Sequence, residues 1–258
     1  MRWWRGHVDI LMDVLDAYIG FDSREPAAYH VCQQSMIRFA TMPVNVRAIT
    51  RDEMQVRNLY HRKWRSGNEP GVIVDCHDNR PFPTEFAFTR FLVPHLHQEL
   101  AKLDHRKWAL FCDCDFLFRA DVGELYDYMD DNKAVMVVKH EYTPLETMKM
   151  DGIPQRSYPR KNWSSFVLWN CAHPAHEELT LTQINTQPGR WLHGFSWLKD
   201  EDIGALPEEW NWLEGWSAPD INPKAVHFTR GGPWFRRWRK VAYADEWNAE
   251  LEMQGMSA

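Results

Sequence analysis

Trp108-Ala109-Leu110-Phe111-Cys112-Asp113-Cys114-Asp115-Phe116-Leu117-Phe118 sets an acidic triplet between two apolar runs. The first run, Trp108 to Cys112, has the length and continuity of a strand buried on both faces. Carboxylates placed between such runs are costly unless something cationic binds them. In an extended segment, residues two apart project to one side. Asp113 and Asp115 are therefore expected to face one divalent ion, with Cys112 and Cys114 turned into the core. Carboxylate oxygens suit Mg²⁺ or Mn²⁺. The triplet is weak evidence by itself, because Asp200-Glu201-Asp202 is a second instance and exposed acidic turns of this kind need no ligand.

Working outward, Asp121 to Met129 reads as a helix and Ala134 to Lys139 as a strand. Ala17 to Phe21 is an earlier strand, giving way to a helix that Ser23 would cap. Glu25 and Pro26 would fill its first turn, and it would run to about Phe39. Val44 to Ile49 is the next strand, and residues Asp52 to Arg65 are expected to be helical. Gly67 to Pro83 is loop-rich, with only Val72 to Val74 strand-like. Thr84 to Leu100 favours a helix bent at Pro94. Phe166 to Trp169 and Ala225 to Phe228 close the set of strands. Strands alternating with helices predict an α/β fold with a mostly parallel central sheet. Ligands in such sheets bind beyond the carboxyl ends of the strands, where Asp22, Asp113 and Asp115 fall.

The 258 residues suit one large domain, with no repeat or long linker to divide it. Residues 1–16 read as an N-terminal extension and 235–258 as an aromatic and basic tail. A net charge of -6 argues against a wholesale nucleic-acid binder. Basic residues bunch late, at Arg230, Arg236, Arg237, Arg239 and Lys240 among Trp234, Phe235 and Trp238. That cluster admits a phosphate, a peripheral membrane contact or a solvated face, and its apolar side is too irregular to choose the membrane. A smaller basic loop gathers Arg156, Arg160 and Lys161 around Tyr158 and Pro159. The five cysteines show no C-x-x-C spacing, which favours free thiols in a reducing compartment. The stretch from Met1 to Asp16 is broken by Asp9, Asp13 and Asp16, so it does not read as a signal peptide, and no run approaches a membrane span. A cytoplasmic location is the expectation.

Five short motifs, in one order, then carry a resemblance. Leu110 to Leu117, followed by Asp121-Val122-Gly123-Glu124-Leu125, resembles the metal-binding core of family 8 glycosyltransferases and their GT-A relatives. Phe88 to Pro94 resembles the helix ahead of that strand, with Arg90 in the place of the arginine near the nucleotide sugar. Ser164-Ser165-Phe166-Val167-Leu168-Trp169-Asn170 resembles the family's "N-S-G-V-x-x-x-N" strand. Asp200-Glu201-Asp202-Ile203 with Leu206-Pro207 and Trp210-Asn211 resembles its "D-Q-D … L-P … W-N" stretch. Val226-His227-Phe228 with Gly231-Gly232-Pro233-Trp234 resembles its C-terminal histidine and "K-P-W" loop. The departures are Ser165 for a glycine, Glu201 for a glutamine and Gly232 for a lysine, with Arg230 as a substitute cation.

The resemblance implies a GT-A fold and sugar transfer from a nucleoside-diphosphate sugar, UDP favoured, with anomeric retention. Asp113, Asp115 and His227 would hold Mn²⁺ or Mg²⁺. Tyr18, Gly20, Asp22, Arg90, Asp113, Cys114, Asp115, Arg230, Gly231 and Gly232 would line the donor. Ser164, Ser165 and Trp234 would meet the acceptor. Asp200, Glu201 and Asp202 would stand near the reacting carbon, or else form an acidic cluster that complements a helix N-terminus. The acceptor itself is open to glycan, lipid-linked sugar, protein, small molecule or modified nucleic acid. Two other classes compete: a metal-dependent nucleotidyltransferase or nuclease, which needs a third acidic ligand, and a non-catalytic carbohydrate-binding protein on a degenerate transferase fold.

Overall fold

The computed structural model describes residues 14–68, 72–141 and 160–256. The strands are β1 (Leu15–Gly20), β2 (Val44–Ile49), β3 (Trp64–Ser66), β4 (Ile73–Asp75), β5 (Trp108–Cys112), β6 (Phe116–Phe118), β7 (Val135–Val138), β8 (Phe166–Asn170), β9 (Ile203–Leu206), β10 (Trp212–Leu213) and β11 (Ala225–His227). The α-helices are α1 (Pro26–Phe39), α2 (Arg51–Val56), α3 (Val93–His97), α4 (Leu181–Thr186), α5 (Gly189–His193) and α6 (Ala244–Met253). Residues 1–13 and 142–159 lie outside the described set, and with them most of the N-terminal extension and Arg156, Tyr158 and Pro159 of the basic loop.

A six-stranded sheet in the order β2-β1-β5-β8-β7-β9 forms the centre. β1 runs parallel to both β2 and β5, and β7 parallel to β9, while β8 runs antiparallel to both its neighbours. Every residue of β1, β5, β7 and β8 is buried. Their near-continuous apolar runs are what a sheet covered on both faces demands. β2, at the edge, is mostly half-exposed.

Beyond Cys112 the chain leaves this sheet. It turns through Asp113 to Asp115 and enters a three-stranded sheet ordered β10-β11-β6. A second apolar cluster of Val31, Leu117, Trp212, Val226, Phe228, Trp247 and Leu251 fastens this small sheet to α1 and α6. Arg38 of α1 reaches Glu250 of α6 at 2.8 Å through Nε.

Several local readings need correction. α1 begins at Pro26, not at a Ser23 cap, because the backbone N–H and hydroxyl of Ser23 both donate to Glu85. The helix expected over residues 52–65 stops at Val56, after which Asn58 takes a positive φ and the chain goes on to β3. Residues 84–100 form a 3-10 turn, Thr89–Leu92, leading into α3, with Pro94 in its first turn where the missing N–H costs nothing. Residues 122–128 are 3-10 rather than α, capped by Asp121.

Candidate active site

Three side chains from two distant parts of the chain meet at the carboxyl end of β5. Ligand atoms of Asp113, Asp115 and His227 all lie within 4.8 Å of one another. Strand register is the cause. β11 pairs antiparallel with β6 so that His227 stands opposite Phe116, and Phe228 N–H donates to the Asp115 carbonyl at 3.0 Å. The imidazole stacks on the Phe116 ring at 4.4 Å and 18°. Its Nε2 comes 3.4 Å from Asp115 Oδ2. The triplet sits in a turn rather than an extended segment, yet the carboxylates still converge while Cys112 and Cys114 are buried, as expected. Burial pushes the Cys114 thiol pKa well up, with the Asp115 and Glu25 carboxylates adding to it.

Orientation of His227 comes from Asn211, which sequence reasoning saw only as part of a motif. Asn211 is fully buried, and its Oδ1 lies 2.9 Å from His227 Nδ1. An amide oxygen only accepts, so the proton belongs on Nδ1 and the Nε2 lone pair is turned to the carboxylates. Asn211 Nδ2 in turn donates to Ser165 Oγ at 3.0 Å, and that hydroxyl donates to the Asn162 carbonyl at 2.7 Å. Ser165, expected to meet an acceptor, is thus buried in the support of His227. Its departure from glycine supplies the hydroxyl that fixes the Asn211 amide.

On the other side, Arg90 Nη1 lies 2.7 Å from Asp113 Oδ1 and donates to the Ser164 carbonyl at 3.0 Å. Ser164 Oγ pairs with His193 Nδ1 at 2.8 Å. Glu25, at the head of α1, is buried beside Asp115 and accepts from Trp234 Nε1 at 3.2 Å. Burial, then the Asp115 and Asp22 carboxylates, push its pKa up to about 8. His140, just beyond β7, is pushed down to about 4 by burial and by His227, against the bond from its ring to the Asn211 backbone. Neither Glu25 nor His140 was singled out from the sequence as a site residue.

The remaining expected positions are spread around this cluster. Tyr18 is buried with its hydroxyl 3.1 Å from His97 Nδ1, and burial raises its pKa to about 12. Gly20 must lack a side chain, since a Cβ there would meet the Phe86 ring at 2.4 Å. Asp22 is fully buried and accepts from Arg24 and from the Glu85 N–H. Arg230 pairs with Glu214 at 2.9 Å and lies over Trp238. Gly231 N–H closes a turn onto the Phe228 carbonyl at 2.8 Å. A Cβ at Gly232 would fall 1.8 Å from the Trp234 ring.

Asp200, Glu201 and Asp202 are not brought to the cluster. They precede β9, whose Leu206 end, paired with Val138, faces the site. Three strand steps, roughly 10 Å, separate the two ends. Asp202 O accepts from Ala134 N–H, Asp200 pairs with Arg160, and both Asp200 and Glu201 are largely exposed. The reason is that β9 follows directly on the triplet, so the acidic run sits where the strand starts.

No family model matches the chain. Over 240 residues it is 46% identical to Protein CDI of Arabidopsis thaliana, an overlap of 91% of this chain and 85% of that protein. The chain belongs to the Protein CDI family. Among solved structures, this family member is similar to the apo WbbM bifunctional glycosyltransferase (TM-score 0.58, 16% identity, 94% of this chain and 50% of that one). It is also similar to the apo form of the glycosyltransferase GlyE of Streptococcus pneumoniae TIGR4 (TM-score 0.55, 12% identity, 92% of this chain and 60% of that one). A third is the galactosyltransferase LgtC in complex with donor and acceptor sugar analogs (TM-score 0.51, 11% identity, 93% and 96%). The chain spans about half the length of WbbM and nearly all of LgtC. The Protein CDI family member therefore has the α/β fold of GT-A glycosyltransferases, a central, mostly parallel sheet flanked by helices. Among the described residues, no helix is long and apolar enough to cross a membrane.

Proposed function

We propose that this protein transfers a sugar from a nucleoside-diphosphate sugar, with UDP as the favoured nucleotide, to an acceptor, using a divalent cation held by Asp113, Asp115 and His227. The observation that carries the reading is the convergence of those three side chains to within 4.8 Å at the strand ends of a glycosyltransferase fold. The donor set passes a test of fit. Two carboxylates and an imidazole lone pair are oriented inward, the latter fixed by Asn211. One imidazole beside carboxylates tilts the preference from Mg²⁺ toward Mn²⁺. The cation, when bound, neutralises the negative charge that sugar departure leaves on a diphosphate.

The chain's own residues supply the rest. Arg90 locks Asp113 and the Ser164 backbone into one arrangement, so the carboxylate is held before a donor arrives. Trp234, packed with its ring centroid 5.2 Å from that of Trp247 and bonded to Glu25, sets the loop that carries Arg230, Gly231 and Gly232 beside His227. Anomeric retention is part of the same proposal and rests on the order of the sequence motifs. Five free thiols fit a cytoplasmic setting.

Calorimetric titration with UDP, in Mn²⁺ and then in EDTA, tests the proposal. Metal-dependent binding that is lost in Asp113→Ala and His227→Ala supports it. Binding of no nucleotide in either condition would move the reading to a carbohydrate-binding protein without catalysis. Release of pyrophosphate or nucleotides rather than UDP would move it to nucleotidyl transfer.

A further inference from the structure

Among the buried polar atoms near the cluster with no hydrogen-bond partner among the described residues are His140 Nε2 and Asn162 Nδ2. Both residues flank Asn211. The His140 ring bonds the Asn211 backbone, and the Asn162 carbonyl lies 3.4 Å from Asn211 Nδ2. Trp163 ties the two together, since it follows Asn162 in sequence and its Nε1 donates to the His140 carbonyl at 3.1 Å. Other buried atoms without partners, such as the indole nitrogens of Trp169, Trp197 and Trp210, sit within the aromatic core rather than beside a ligand cluster.

Chemistry distinguishes these two atoms from an accident of packing. A neutral imidazole carries one N–H and one lone pair, so His140 Nε2, which has no partner, is free to bond a group that can donate or accept. The Asn162 amide nitrogen can only donate. Buried polar atoms left unmatched are costly when nothing answers them. A hydroxyl group suits either atom, because it donates one proton and accepts on its lone pairs. Water would serve briefly, but the position adjoins His227, one of the residues that would hold the cation.

We propose that His140 Nε2, with Asn162 Nδ2, receives a hydroxyl of the sugar carried by the nucleoside diphosphate, and so reads that sugar. This rests on the transferase reading above. The transferred sugar is bonded directly to the terminal phosphate, which places its ring next to the cation ligands and within reach of the end of β7. His140 is then a specificity residue, and it takes no part in holding the cation.

The test compares affinities for UDP with those for UDP-glucose, UDP-galactose and UDP-N-acetylglucosamine, all in Mn²⁺, for the wild type, His140→Phe and His140→Gln. His140→Phe should leave UDP binding within twofold and weaken the preferred UDP-sugar roughly 3–10-fold, the loss of one neutral hydrogen bond. His140→Gln, which restores an acceptor oxygen, should recover most of that loss. Equal weakening of UDP and UDP-sugar would make His140 a structural residue and overturn the assignment. An unchanged ratio in His140→Phe would do the same, as would a wild type that binds UDP but none of the three sugars. If the wild type bound neither UDP nor any UDP-sugar, the transferase reading would fall first, and this inference with it.

Discussion

Replacing Asn211 with leucine removes the acceptor that orients His227 while leaving all three cluster residues in place. The side chain is fully buried, bonded at 2.9 Å to His227 Nδ1 and at 3.0 Å to Ser165 Oγ. Leucine has the same branching with bulkier methyl ends, so no cavity is created and the cost comes from the polar groups and some overpacking. An Nδ1–H left buried without a partner costs about 1–3 kcal/mol of stability. If the proton moves to Nε2 instead, the lone pair that faces Asp115 is lost. Loss of such an orienting partner weakens metal binding about 10–100-fold, equivalent to about 1.4–2.7 kcal/mol. The assay is Mn²⁺ titration at fixed UDP by calorimetry, with a thermal melt and circular dichroism to establish folding. Asn211→Asp keeps an acceptor for Nδ1–H and should retain most of the Mn²⁺ affinity. A folded Asn211→Leu protein with wild-type Mn²⁺ affinity would refute the reasoning, because His227 would then need no orientation or bind no metal.

Asp115→Asn should abolish metal-dependent turnover with little change in melting temperature, and full activity would remove Asp115 from the ligand set. Glu201→Gln alters an exposed carboxylate at the far end of β9 and should keep turnover within about twofold; a fall of tenfold or more would return it to the reacting centre. Gly232→Ala puts a methyl group into the Trp234 ring and should cost about 1–3 kcal/mol in denaturant unfolding, whereas an unshifted midpoint would mean the loop repacks freely. Burial raises the Asp22 pKa, but the bonds from Arg24 and Glu85 outweigh it and hold the group below its ordinary value. Its stabilisation is therefore present above about pH 4 and lost as the pH falls through the lowered folded value. Asp22→Asn should flatten the acid limb of the stability curve, and an unchanged limb would contradict the assignment.

Much of the fold was legible because its central strands are unbroken apolar runs. Trp108–Cys112 is an unbroken apolar run and Val44–Ile49 an alternating one, and both have the same limits in sequence and structure. The polar stretch after Asp52 gave no such signal, and its helix stops where Asn58 adopts a positive φ. The carboxylate pair was readable from its setting between two apolar runs, whereas the place of His227 beside it depends on a pairing between β6 and β11 that no local pattern announces. The acidic run at 200–202 repeats the composition of the first motif, but it precedes β9 and its carboxylates do not join the Asp113, Asp115 and His227 cluster. His140 and Glu25 were invisible for a different reason: a polar residue next to a strand or helix start is ordinary until the tertiary fold buries it.

The cluster also straddles a seam. Asp113 leaves the large sheet, Asp115 enters the small one, and His227 belongs to the small sheet's middle strand. During synthesis both carboxylates leave the ribosome long before the histidine does, and the cluster closes only when β11 docks beside β6. A nascent or truncated chain lacking that strand would present two acidic groups with no partner ring and a bare edge on β6. If the cluster holds a cation as proposed, its capture requires the completed small sheet.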